Sequence, residues 1–163
     1  MLDLKMQALD SQAPTFVARM QALANIYELE EVIKSMPGSV GKDSPLFAYH
    51  HWFVPGIYGR EITIPANTVL TTEIHASENL AVVLQGSFTF FSENGLEYIE
   101  APKVMVTKIG TKRAMFTHTE VIYITFHENV DNETDIDTLV ERYTFKDEKA
   151  YHEYKQLILE VTK

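Results

Sequence analysis

Between Tyr58 and His127, short segments rich in apolar, β-branched and aromatic residues alternate with tight-turn formers, and this rhythm limits the fold more than any other feature. Residues 57–64 end at Pro65-Ala66-Asn67. Residues 69–75 and 80–91 follow as strands, and Asn94-Gly95 is a strong hairpin signal because a type I′ turn needs positive φ at both central positions. Residues 96–99 and 104–108 flank Ala101-Pro102, Gly110 turns the chain, residues 113–117 are extended, and residues 121–127 alternate cleanly. Upstream, residues 46–54 are aromatic and β-rich as far as the turn at Pro55-Gly56. Seven or eight strands at such spacing predict a β-sandwich or barrel.

Helical patterns flank this block. Residues 14–36 read as a helix: Phe16, Met20, Leu23 and Tyr27 lie on one stripe, which Ile26, Leu29, Ile33 and Met36 continue. Pro14 suits the start, and Pro37-Gly38 stops it. A short helix is expected over 137–143. A final helix follows, with Thr144-Phe145-Lys146-Asp147 as a capping box and Tyr151, Tyr154, Leu157, Ile158 and Val161 as its apolar face. The expected organisation is one folded unit: an N-terminal helical region and loop (1–45), a barrel (46–130) and a C-terminal helical extension (131–163).

Two motif resemblances fail on inspection. The loop at 38–45 has Met36 where a phosphate loop needs Gly and Asp43 where it needs Ser or Thr. The acidic run 131–137 has Ile136 where a calcium loop needs Gly and Arg142 where it needs Glu.

The 163 residues suffice for one hydrophobic core. There is no cysteine, so neither a disulfide framework nor thiolate chemistry is available. No apolar run is long enough for a membrane span, and the start lacks the basic-then-apolar pattern of a signal peptide. A cytoplasmic location is expected, without membrane partners. The net charge of −9 opposes binding to a phosphate backbone, so no nucleic-acid partner is expected either.

The block from His50 to His127 resembles the cupins, and more narrowly small cupin-like proteins encoded in bacteriophage genomes. The resemblance rests on residues 50–62, Ile74-His75, residues 80–86, Ala101-Pro102, Gly110-Thr111-Lys112-Arg113-Ala114 and Thr117-His118-Thr119, about half of the chain. It implies a mainly β fold, a single cupin-type jelly-roll β-barrel with an N-terminal helix and a C-terminal helical extension, in a host cytoplasm if phage-encoded. Metal-binding cupins carry two His one residue apart, a nearby Glu, and a later His. Here those positions hold Glu73, His75, Asn79 and Arg113, so only one identity survives.

Strand alternation places Glu73 and His75 on one face, which the cupin register turns inward. Three readings stand side by side. They can be metal ligands with His118 for iron, manganese, zinc or nickel; an acid/base set in which Glu73 raises the His75 pKa and His118 is a further base; or a satisfied polar pair near the barrel mouth. Arg113 offers a forked cation suited to a small anionic ligand, or else an ion pair with Glu73 or Glu61. Tyr58 and Arg60 share one strand face and Glu61 the other, so only one set can line the pocket. Glu73, His75, Arg113 and His118 are expected to converge in one cavity.

Two functions from different classes remain open. One is a small-molecule-binding cupin, metal-dependent or acid/base in chemistry if an enzyme; the other is a non-catalytic scaffold, assembly or regulatory protein. A homo-oligomer, most simply a homodimer, is expected because the N-terminal helix carries apolar residues on more than one side, among them Phe16, Val17, Ile26, Tyr27, Leu29 and Val32.

Overall fold

The computed structural model describes residues 26–41, 43–92 and 95–161. Helix α1 (Ile26–Ser35) precedes ten strands: β1 (Ala48–Val54), β2 (Gly56–Ile64), β3 (Val69–Thr71), β4 (Ile74–His75), β5 (Asn79–Gln85), β6 (Ser87–Ser92), β7 (Gly95–Glu100), β8 (Lys103–Thr107), β9 (Ala114–Thr117) and β10 (Val121–Asn129). Helix α2 (Ile136–Tyr143), β11 (Thr144–Phe145) and α3 (Glu148–Val161) follow. A five-stranded sheet ordered β1-β2-β10-β5-β8 faces a four-stranded sheet ordered β3-β9-β6-β7, and β11 pairs with β4. All pairings are antiparallel. The class is the expected one: mainly β, a double-sheet barrel with helices towards both ends.

The core lies between the two sheets, where Ile64, Val83, Phe88, Phe90, Ile99, Met115 and Val121 are buried together. Each such side chain contributes about 1.5–3 kcal/mol through burial. Period-two alternation supplies them, with Ala81 and Val83 inside while Leu80 and Leu84 are exposed. Helix α1 covers the outside of the four-stranded sheet: Leu29, 1% exposed, packs with Ile33 on Ala114 and Phe91. That face of the helix is therefore taken up by its own barrel, while residues 14–25, including Phe16 and Val17, lie outside the described residues.

Three sequence expectations need correction. The single strand expected over 80–91 breaks at Gly86, where the chain leaves the five-stranded sheet as β5 and enters the other as β6. A Cβ at Gly86 would sit 2.0 Å from the Glu120 carbonyl oxygen, and φ is +87°, so only glycine fits this corner. The strand expected over 69–75 breaks at Thr72-Glu73. There the Thr72 N–H donates to the Arg113 carbonyl at 2.8 Å, its Oγ1 accepts from the Arg113 N–H at 3.0 Å, and its carbonyl accepts from Lys112 Nζ at 2.9 Å. The chain resumes as β4 against β11, so residues 73 and 75 no longer share a strand face. Finally, the cap of α3 is Asp147, which accepts from the Ala150 N–H at 2.8 Å, whereas Thr144 lies in β11.

The expected hairpin forms with Ser92 opposite Gly95; its residues Glu93 and Asn94 lie outside the described residues. Helix α2, capped by Asp135, folds against the barrel so that Leu139 and Tyr143 bury beside Tyr58. Tyr151 and Tyr154 of α3 pack on Phe145. Among the described residues, no helix is long and apolar enough to cross a membrane.

Candidate functional site

One end of the space between the sheets holds a cavity of about 160 Å³. Strand β2 contributes Tyr58, Arg60, Ile62 and Ile64 to it; β10 contributes Tyr123, Thr125 and His127; α2 contributes Leu139, Val140 and Tyr143. Tyr49, Leu70, Thr71, Thr72, Glu73, His75, Met115 and Thr144 complete the lining. The inward set on β2 is thus Tyr58 and Arg60. Glu61 points outward and accepts from Trp52 Nε1 at 3.2 Å.

Tyr58, 1% exposed, is held by a run of rings. It stacks on His51 at 5.9 Å and on His127 at 6.0 Å, and its hydroxyl lies 2.8 Å from His51 Nδ1. His127 in turn stacks on Tyr143 at 4.4 Å, and the Tyr143 hydroxyl donates to the Glu128 carbonyl. This stack fastens α2 to the barrel and forms one wall of the cavity.

His75 comes from β4, placed by a backbone bond from its N–H to the Thr111 carbonyl at 3.1 Å and another from Gly110 N–H to its own carbonyl at 2.7 Å. The Asn79 Nδ2 group can only donate, and it lies 3.1 Å from His75 Nδ1. The neutral ring therefore carries its proton on Nε2, which makes His75 an N–H donor. Burial pushes its pKa down to about 4, helped by the positive charges of Arg113 and Arg60. His127 is likewise lowered to about 4 by burial, then by His75 and Arg60. Its Nε2 is 3.1 Å from Thr125 Oγ1, while Nδ1 is buried with no hydrogen-bond partner among the described residues. Protonating that nitrogen would create a buried N–H without an acceptor, a cost of the same sign as the shift.

The expected four-residue convergence is only partly realised. His75 lines the cavity, and Glu73 lines it as an exposed residue. Glu73 does not raise the His75 pKa, which burial and the two arginines hold low. Arg113 is not among the lining residues. Its guanidinium packs 4.9 Å over the Phe90 ring and donates to Thr107 Oγ1 at 3.2 Å. Burial lowers its pKa, and it forms no ion pair with Glu73 or Glu61. His118 stands apart, its Nε2 2.7 Å from Thr89 Oγ1 and its ring between Phe116 and Tyr98, with burial lowering its pKa.

A divalent cation does not fit these residues. Among the described residues no three His, Asp or Glu side chains gather into a ligand set, and the expected trio of Glu73, His75 and His118 is dispersed. His75 also sits in the field of the Arg113 and Arg60 guanidiniums, and His127 in that of Arg60, which disfavours positive charge there. Sequence reasoning did not place His127, Tyr123 or Thr125 in the site. The clean alternation of residues 121–127 held the signal, since positions 123, 125 and 127 share one face.

Arg60 is the cationic group of the lining. Its guanidinium lies 4.8 Å over the Tyr49 ring, and among the described residues no carboxylate is within ion-pair distance of it. Most of the remaining surface is aliphatic or aromatic. Such a cavity can hold an apolar body and one anionic head.

No family model matches the chain, and no curated protein matches its sequence. Among solved structures, KdgF from Halomonas sp. overlaps with a TM-score of 0.46 at 13% identity, covering 56% of this chain and 88% of that one. A cupin-2 domain protein from Shewanella frigidimarina overlaps at 0.43 and 8% identity, covering 50% and 80%. Hydroxypropylphosphonic acid epoxidase from S. wedmorenis overlaps at 0.45 and 13% identity, covering 53% of this chain and 52% of that one, so this chain spans about half of that enzyme's length. Neither a ligand nor an activity follows from these likenesses.

Proposed function

We propose that this chain is a cupin-type binding protein whose barrel cavity takes a small organic anion, a carboxylate on an apolar body. The observation that carries this reading is Arg60: a guanidinium in an otherwise largely apolar cavity, with no carboxylate partner among the described residues. A half-buried cation is costly until an anion meets it, and a fork of N–H donors matches carboxylate oxygens. His75 adds a neutral N–H donor, because Asn79 occupies its other nitrogen. The volume of about 160 Å³ sets the size. A dry cavity of about 150 Å³ holds a benzene ring, so a body of about six carbons with one carboxylate suits this one.

No catalytic step belongs to this reading. With His75 and His127 both lowered to about 4, each is unprotonated and only weakly basic at neutral pH, and neither holds a proton to give as a general acid. Isothermal titration with a panel of small monocarboxylates, benzoate first, tests the proposal. Benzoate binds the unaltered protein, Arg60→Gln weakens it at least about tenfold, as loss of a charge-assisted pair implies, and neutral benzamide binds no better than to Arg60→Gln. Absence of binding across the panel, or equal affinity in Arg60→Gln, refutes it.

A further inference from the structure

The outward face of the five-stranded sheet carries few of the polar side chains that an antiparallel sheet presents to water. Cross-strand register fixes its rows. Trp52, Gly59, Phe126, Leu80 and Val106 lie directly opposite one another across all five strands, and His50, Glu61, Ile124, Val82 and Val104 form the next row. Val54 and Ile57 extend the face at one corner and Leu84 along β5. Trp52, Val54, Ile57, Leu80, Leu84, Val104 and Val106 are each 44 to 60% exposed. In a sheet these outward positions are chosen residue by residue, so an apolar choice on every strand is a pattern and not scatter.

We propose that this face is the contact between two copies of the chain, packed sheet on sheet about a twofold axis. Three observations favour a second copy over other occupants. Together the seven exposed side chains present roughly 600 Å² of apolar surface, at the upper limit for monomers and close to the roughly 800 Å² per partner that a stable complex uses. A like-charged copy at −9 could approach only through a charge-poor face. The ionisable groups of these two rows are His50 and Glu61, with Glu128 at the corner opposite Ile57; Trp52 engages the first two, its Nε1 donating to Glu61 and its ring lying 4.3 Å from that of His50. Last, the chain's own residues 1–25 join the described structure at Ile26, in a helix packed on the other sheet, across the barrel. Gly59 keeps the centre of the face level, since a Cβ there would press within 3.2 Å of Trp52 Cβ. Sheet-on-sheet packing interdigitates side chains from the two faces, and the space over Gly59 can receive one.

Trp52 is the only tryptophan, so it reports the contact directly. Sedimentation velocity and acrylamide quenching of the full chain over a dilution series test the proposal, with Val106→Glu as the interface variant and Tyr98→Glu on the other sheet as control. Both substituted positions are exposed, so circular dichroism and melting confirm that each variant folds. The proposal expects a species near twice 18.6 kDa for the unaltered chain and for Tyr98→Glu, an 18.6 kDa species for Val106→Glu, and Trp52 quenching that rises as the dimer dissociates. A monomer at every concentration overturns it. So does a monomer with shielded Trp52, which would assign the cover to the chain's own segment, or a dimer that Val106→Glu leaves intact.

Discussion

Lowering the pH should unfold this protein earlier than its carboxylates alone require, because two imidazoles are buried neutral. His75 and His127 titrate near 6.5 when the chain is unfolded and near 4 when it is folded. Above the unfolded value both states are neutral and the histidines do not distinguish them. As pH falls through 6.5 towards 4, the unfolded chain binds protons that the folded chain refuses, so stability is lost across that window. Each pKa unit is worth 1.36 kcal/mol, which gives about 2 kcal/mol lost per histidine by about pH 5 and about 3 kcal/mol by about pH 4. The assay is urea unfolding followed by circular dichroism, at fixed protein concentration, at about pH 7.5 and about pH 5. His127→Gln cannot titrate, so its loss over that interval should be smaller than that of the unaltered protein by about 2 kcal/mol, and the double change with His75→Gln smaller by about 4 kcal/mol. Carboxylate titration contributes equally to all three and cancels in the difference. Equal losses in all three proteins would show that these imidazoles are not held neutral by burial.

Other expectations follow from single positions. Gly86→Ala places a methyl group against the Glu120 carbonyl at positive φ, and should destabilise the fold by about 3 kcal/mol or more in thermal unfolding. Leu139→Ala removes a fully buried side chain from the cavity wall and should cost about 2–5 kcal/mol by urea titration, with a visible loosening of α2 in hydrogen exchange. Arg113→Met gives up the Thr107 bond and the Phe90 contact but strands no partner carboxylate, so a loss of about 1–2 kcal/mol is expected, below the 3–5 kcal/mol of a broken buried ion pair.

Much of the barrel was legible because turn chemistry is local. Pro55-Gly56, Pro65-Ala66-Asn67 and Gly110 mark strand ends wherever they fall, and the paired period-two segments between them leave few alternatives. The site was less legible because it depends on distant contacts. Nothing in residues 69–75 shows that Lys112 and Arg113 will take the Thr72 carbonyl and hydroxyl and divide the strand, which separates Glu73 from His75. Nor does the sequence show that β4 will find β11, some seventy residues later, and so draw α2 over the cavity mouth with Leu139 and Tyr143. Arg60 and Tyr58 were placed correctly as a shared face, but which face turned inward was fixed only by pairing with β10. His118 looked like a site residue from the cupin resemblance, yet the strand it follows belongs to the other sheet and sends its ring towards Thr89.

The claim that Arg60 anchors an anion is tested most directly by a crystal structure of the protein grown with benzoate. The account predicts the carboxylate oxygens within hydrogen-bond distance of the Arg60 guanidinium and the His75 Nε2, with the ring against Ile62, Leu70 and Met115. Benzoate seated elsewhere, a carboxylate turned away from Arg60, or a cation held between His75 and His127 would contradict it.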